Sequence, residues 1–438
     1  MYRWVEEVGS AVTTRHSLLP WPERYVLTNL YRLGDQAPGS IGVAGGEIAF
    51  VSSESALASW PRLEMGGRVV IPGLVDPHQH LDKTHLFPAL RNDSGTLQEA
   101  IATVRQHYAA CTVEQILARA SAGIELAIAA GTTALRSHAD TGDAAGLKGV
   151  EALLRLRAEY GARVRLQVVA MARVMPDGTF DDAALAQAAR LGVDAVGGAP
   201  WLAAPPARRT CIDNLFRIAA GAGLPLDLHV DESDDAADLT LPHIARRARE
   251  TDFRGRVVAG HCCSLAALPD ADASGVIAAV AESGVHIVTL PAVNLYLQGR
   301  ADRQPVRRGV TRVRELLAAG VNVAAGSDNV RDPFYPFGDG DLLRLAALTC
   351  SVVHLPGLTG MATALAMVTD ASARAIGLAP KYGLCPGAWA DLVVLDLPGP
   401  AGPEHVLSRQ PGRYLILCGG VPSVAPPALR FASQGAPE

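Results

Sequence analysis

From residue 130 onward, short apolar runs alternate with Ala/Leu/Arg-rich stretches of helical length. No other feature constrains the fold as much, because parallel strands need a long crossover between them, usually a helix. Strands are expected at Thr132–Ser137, Arg163–Ala170, Ala195–Gly198, Leu226–Val230, Val257–Gly260, His286–Leu290 and Val321–Ala325, after a first strand at Val69–Val75. Stretches such as Asp182–Leu191 and Val310–Ala319 read as helices. Eight such units in about 250–310 residues match a closed (β/α)8 barrel, an α/β fold. The 438 residues, 49% hydrophobic and 19% charged, can bury that core plus a smaller module.

The flanks read differently. Residues 22–71 hold YVLTNLYRL, IGVAGGEIAFV and RVVIPG, and residues 383–432 hold ADLVVLDL, RYLILCGG and ALRFAS. These are short strands with Gly-rich turns. The expectation is a discontinuous β-sandwich module, 22–71 and 383–432, beside a barrel over 72–382. The first 20 or so residues and the closing GAPE are expected to be peripheral.

Barrels of this kind carry their chemistry at the C-terminal ends of the strands. The stretch VIPGLVDPHQHLDKTH, residues 70–85, ends an apolar run in His78 and His80. Residues i and i+2 of a strand project to one side, so both imidazoles can reach one metal ion. Alone, the pair reads more simply as two solvated loop histidines. Strand 5, however, runs into DLHVDESDD, with His229 and Glu232; strand 6 runs into AGHCCS, with His261; strand 8 runs into AAGSDNVRDPFYP, with Asp328. His78, His80, His229 and Asp328 suit one divalent ion that keeps a position open for water, and either Zn2+ or Fe2+ would fit. Plainer readings exist: a satisfied strand-end histidine, a helix cap at Asp328, and a solvated acidic loop around Glu232. Recurrence after successive strands favours the metal site. His138 and Asp140 after strand 2, with His85, Asn294, Gln298 and Arg300, would line the pocket or brace it.

The ordered set HQHLD, HVDESDD, GHCCS and GSDN–DPFYP resembles the amidohydrolase superfamily in its cytosine deaminase-like branch. The likeness extends from residue 66 to about 395 and includes PAVNLYLQGR, RRGVTRVRELLAAGVNV and GLCPGAWADLVVLD. It implies a (β/α)8 barrel, a flanking β-sandwich, a homo-oligomer, and a metal-dependent deaminase that releases ammonia from a small nitrogen heterocycle. Strand 4, VDAVGGAPW, lacks the lysine that bridges two metals in binuclear members, which implies a single metal. By the same resemblance, Asp328 and His261 activate and hold the attacking hydroxide, and Glu232 shuttles a proton to a ring nitrogen.

The resemblance breaks in the pocket. Arg173, in VVAMARVMP, falls at or next to the position where cytosine deaminases carry a ring-reading glutamine. A guanidinium donates only and stays charged, so it cannot replace an amide's donor–acceptor pair. Asn329 stands for an acid, Arg331 for an apolar residue and Phe334 for a tryptophan, while Lys83 resembles the branch that hydrolyses N-alkylamino-triazines. If Lys83, Arg173, Asn329, Arg331 and Phe334 bind substrate, an oxygen-rich or anionic heterocycle is expected rather than cytosine. The plainer reading of the three cations is salt bridging, with Asp82, Asp140 or Asp332. The alternatives are a hydrolase that removes an alkylamine from a triazine-like ring or opens a cyclic amide, and a non-catalytic metal-binding scaffold.

Composition narrows the partners. Net charge is −5 with Lys and Arg dispersed, so there is no electrostatic case for nucleic acid. No apolar run approaches the roughly 20 residues of a membrane span, and MYRWVEEVGS lacks the apolar core of a secretory signal. The seven cysteines have no CxxC pair and no disulfide spacing, so reduced, buried thiols in a cytoplasmic protein are expected.

Overall fold

In the computed structural model, residues 21–52, 59–427 and 429–431 are described, and the segments expected to be peripheral fall outside them. Near the N-terminus, β1 (Arg24–Arg32), β2 (Gly39–Ala44), β3 (Glu47–Ser52) and β4 (Arg62–Pro72) belong to one sheet. One residue later the chain enters a second sheet of eight strands: β5 (Leu74–Gln79), β6 (Thr132–Thr141), β7 (Arg165–Ala172), β8 (Ala195–Gly198), β9 (Leu226–Val230), β10 (Val257–His261), β11 (His286–Thr289) and β12 (Val323–Ala325). The chain then returns to the first sheet with β13 (Leu392–Pro398), β14 (Arg413–Cys418) and β15 (Val421–Val424).

The eight strands lie side by side in sequence order, and those whose pairing is resolved run parallel, with helices in the connections. Gln79 bridges Asp328 in parallel to join the first strand to the last. This is the expected (β/α)8 barrel. Local chemistry sets the crossovers. The helix Asp182–Leu191 starts where Asp181 accepts from the Ala184 amide and stops at Gly192 in the left-handed conformation, φ 90°.

The expected first strand, Val69–Val75, is corrected. Val69 to Pro72 close β4 of the other sheet, and the barrel starts at Leu74. Val69–Ile71 on one side and Leu74 and Val75 on the other are all buried, so hydrophobic periodicity gives no boundary. Gly73 marks it instead, since a Cβ there would meet Thr133 Oγ1 at 2.0 Å. The last strand is also corrected: Val421–Val424 pairs with β14, whereas residues 429–431 of ALRFAS are not strand.

The seven-stranded sheet has the order β15-β14-β13-β4-β1-β2-β3. Its two termini-derived halves meet where the Ala390 amide donates to Gly46 O at 2.9 Å and Tyr25 Oη donates to Gly420 O at 2.6 Å. Alternate residues serve two cores. Val70, Leu392 and Val394 pack within this module, while Val69, Ile71, Val393 and Leu395 join the large barrel core. No helix among the described residues is long and apolar enough to cross a membrane. All seven cysteines are free; five are buried, Cys350 is partly buried, and Cys385 is exposed, contrary to the expectation that all would be buried.

Candidate active site

Closing the barrel assembles the site. The Asp328 amide donates to His78 O at 2.8 Å, and the His80 amide donates to Asp328 O at 3.2 Å. Residues from the first and last strands are thereby held within one residue's reach. Asp76 reinforces this seam, accepting from Ser327 N at 3.1 Å and Ser327 Oγ at 2.5 Å.

The histidine edges converge. His229 Nε2 lies 3.2 Å from His78 Nε2 and 3.0 Å from His80 Nε2. Asp328 Oδ1 is 3.7 Å from His78 Nε2 and 3.4 Å from His80 Nε2. Burial, then the neighbouring charges, holds all three imidazoles well below the usual histidine range, so they are neutral and present lone pairs. Burial likewise raises Asp328 well above the usual carboxylate range, with Glu232 adding to the effect. Three neutral nitrogens aimed at a common point beside a buried carboxylate fit a divalent cation. The donor set passes that test with no rearrangement of the chain.

Around this point stand the groups expected to move protons. Glu232 Oε1 is 3.6 Å from His261 Nδ1, and burial raises the Glu232 carboxyl to about 8. Asn294 Nδ2 lies 3.1 Å from His261 Nδ1, and His261 Nε2 lies 4.0 Å from Asp328 Oδ2. Neither of those two facing atoms has a hydrogen-bond partner, so they frame space for one oxygen. Burial depresses His261 to about 3, which keeps it neutral.

A cavity of about 450 Å³ opens onto this cluster. His80, His229, Glu232, His261 and Asp328 line it, as do Lys83, Arg173, Asn329 and Phe334. Arg331 does not. Its backbone turns at φ 53° so that its carbonyl accepts from Phe87 N at 2.9 Å, and its charge bears on His85 instead. Lys83 is both cavity wall and ion pair: Nζ lies 3.0 Å from Asp140 Oδ1, 3.3 Å from Asp82 Oδ2 and 3.3 Å from His80 Nδ1. Although burial pulls against its charge, Asp140 and Asp82 outweigh that and hold Lys83 above the usual lysine range.

Several contributors escape a sequence reading. Asp227 sits two residues before His229 on β9, buried, accepting from Arg136 Nη1 at 2.8 Å and lying 3.1 Å from His138 Nε2. The His138 ring packs on His78 with centroids 4.1 Å apart, so it braces a ligand rather than lining the cavity. The i, i+2 pairs Arg136/His138 and Asp227/His229 share inward faces, a signal present in the sequence. Tyr108, donating to Asp82, and Arg105 come from the helix Leu97–Ala110, which no motif marks.

Comparison with known proteins agrees with this geometry. The profile of the amidohydrolase family matches residues 94–413. A pterin deaminase of Rhizobium rhizogenes is 34% identical over 395 residues, 86% of this chain and 89% of that one. The crystal structure of 5-methylcytosine deaminase from Klebsiella pneumoniae superposes with a TM-score of 0.85 at 29% identity, covering 94% of this chain and 100% of that one. N-isopropylammelide isopropylaminohydrolase from Burkholderia multivorans gives a TM-score of 0.79 at 31% identity, covering 92% and 98%. By its barrel and by these matches, the chain belongs to the amidohydrolase family.

Proposed function

We propose that the protein is a metal-dependent hydrolase that deaminates a small nitrogen heterocycle with release of ammonia, and that this substrate is a two-ring aminopyrimidinone of the pterin kind rather than cytosine. The observation that carries the reading is that His229 Nε2 lies 3.2 Å from His78 Nε2 and 3.0 Å from His80 Nε2 beside Asp328, at a cavity that the buried Glu232 also lines. The volume of about 450 Å³ accommodates two fused rings, and the 34%-identical relative is a pterin deaminase. The guanidinium of Arg173 on the wall disfavours cytosine.

His78, His80, His229 and Asp328 would hold the ion, zinc or iron(II). When bound, it supplies Lewis acidity and lowers the pKa of a water it holds from 15.7 to about 7. Asp328 Oδ2 and His261 Nε2 flank the attacking water, Asp328 taking its proton and His261 donating to its oxygen. Glu232 gives its proton to the ring nitrogen as oxygen adds to the adjacent carbon. The tetrahedral carbon then loses its exocyclic nitrogen as ammonia: Asp328 hands the proton taken from water to that nitrogen, and the added hydroxyl gives its own proton to Glu232 as the carbonyl forms, which resets both groups. Two carboxyl groups in different environments divide the acid and base work.

The test is zinc- or iron-loaded protein incubated with a panel of amino-heterocycles and read by mass spectrometry. Exchange of NH for O supports deamination. Loss of a larger amine would instead favour the alkylamine hydrolase. Glu232→Gln should keep its metal and lower kcat by about 10²–10⁴. Absence of both bound metal and turnover would overturn the reading.

A further inference from the structure

The helix Leu97–Ala110 presents Leu97, Ile101, Val104, Arg105 and Tyr108 to the cavity, the spacing of one helical face. Its apolar members, with Trp201 and Phe334 opposite in sequence origin, make walls suited to the faces of a flat ring. The charges on those walls are unevenly matched. Lys83 is paired with Asp140, itself a wall residue. Glu232 and Asp328 belong to the metal end. Among the described residues that line the cavity, Arg105 and Arg173 have no acidic partner within the wall.

Both arginines share one carboxylate, that of Asp143. It is ion-paired to Arg173 and lies 3.8 Å from Arg105 Nε, and its side chain is 58% exposed. Asp143 does not line the cavity. It sits in the short turn Asp143–Ala145 behind the wall, at φ 48°. Two guanidiniums of lining residues thus share one solvent-screened carboxylate, so the three groups together carry one unmatched positive charge. Paired guanidiniums bind carboxylates well because their donors match the two oxygens.

We propose that Arg105 and Arg173 form an anion-binding locus, so that the substrate is a heterocycle carrying a carboxylate on the part of the ring system remote from the leaving amino group. This rests on the deaminase reading above and names its substrate class. Asp143 contacts both arginines and competes for their charge with a bound anion. The competing view is that the arginines only pin the Gly142–Gly146 turn through Asp143.

The experiment compares kcat/KM for pterin-6-carboxylate with that for its neutral carboxamide on metal-loaded protein. The wild type should favour the carboxylate by about tenfold or more, and added salt should shrink the ratio. Arg173→Gln and Arg105→Gln should each collapse the ratio, chiefly through KM. Asp143→Asn should preserve or enlarge it, because one cavity-remote negative charge is gone. A wild-type ratio near one overturns the proposal, and so does an Asp143→Asn collapse equal to that of Arg173→Gln. If neither pterin is turned over, the deaminase reading fails for pterins, and the locus is read from melting temperatures. A rise with the carboxylate alone, lost in Arg173→Gln, supports the locus. Equal shifts with both compounds sink it.

Discussion

At the scale of single residues, burial decides most of the chemistry. Glu232 is held neutral and His261 is held uncharged by the same cause, because removing a charge from water costs more than these sites return. His85 extends this beyond the site. Burial, with Arg331 beside it, lowers His85 from 6.5 to about 4. The unfolded chain therefore binds one more proton than the folded chain between those values. The stability due to a neutral His85 is present above about 6.5 and lost as pH falls toward 4. Replacing it removes up to about 1.4 kcal/mol per pH unit of that slope. His85→Gln should thus flatten the acid side of a urea-midpoint profile between pH 6.5 and 4. An unchanged slope would sink this account. The candidate ligands His78, His80, His229 and Asp328 were legible because His and Asp recur at strand ends. Arg331, one of the candidate substrate-binding residues, does not line the cavity, and sequence spacing says nothing about its left-handed backbone, φ 53°.

At the scale of elements, the strand period is what makes the site readable. His229 on β9 is in register with Gly260 on β10, and the missing side chain at Gly260 leaves room for the His78 ring. A Cβ there would lie 3.0 Å from His78 Cε1 and 3.1 Å from Nδ1. Gly260→Ala should displace one ligand with little effect on the rest of the barrel. The expected result is metal affinity weakened about 10–100-fold, measured by competition with a chelator, while the metal-free melting temperature barely moves. Wild-type affinity in that variant would show that His78 does not depend on this gap. Most barrel strands and the helix Asp182–Leu191 were legible within a few residues. The first strand was not. Burial on both faces erases the alternation that would separate β4 from β5.

At the scale of the molecule, the barrel and the seven-stranded sheet are tied by a few polar contacts over a shared apolar seam. Arg165 of β7 donates to Asp391 at 2.7 Å, and Asp391 Oδ1 also accepts from the Gly419 amide at 2.6 Å. Asp391 is buried, and the Arg165 guanidinium stacks 3.8 Å from the Trp389 ring centroid. Asp391→Ala strands both donors and should cost about 2–4 kcal/mol in chemical denaturation. Asp391→Asn, which keeps one acceptor, should cost less. A loss below about 0.5 kcal/mol for the alanine variant would mean that the apolar seam carries the junction unaided.

The sequence by itself determined the barrel class and marked His78, His80, His229 and Asp328, with Glu232 and His261, as candidate site residues. Each of these follows from a local rule, either the period of a strand or the residue type at its end. Tertiary structure alone decided what surrounds them. Asp227 and Arg136 meet across strands that are distant in the chain. Arg105 arrives on a helix between the first two barrel strands, and Asp143 reaches it from the turn after the second. Such pairings depend on how far apart closed strands bring residues in space, a distance that no periodicity encodes. The candidate ligands were therefore readable along the chain, while the ion pairs that surround them were not.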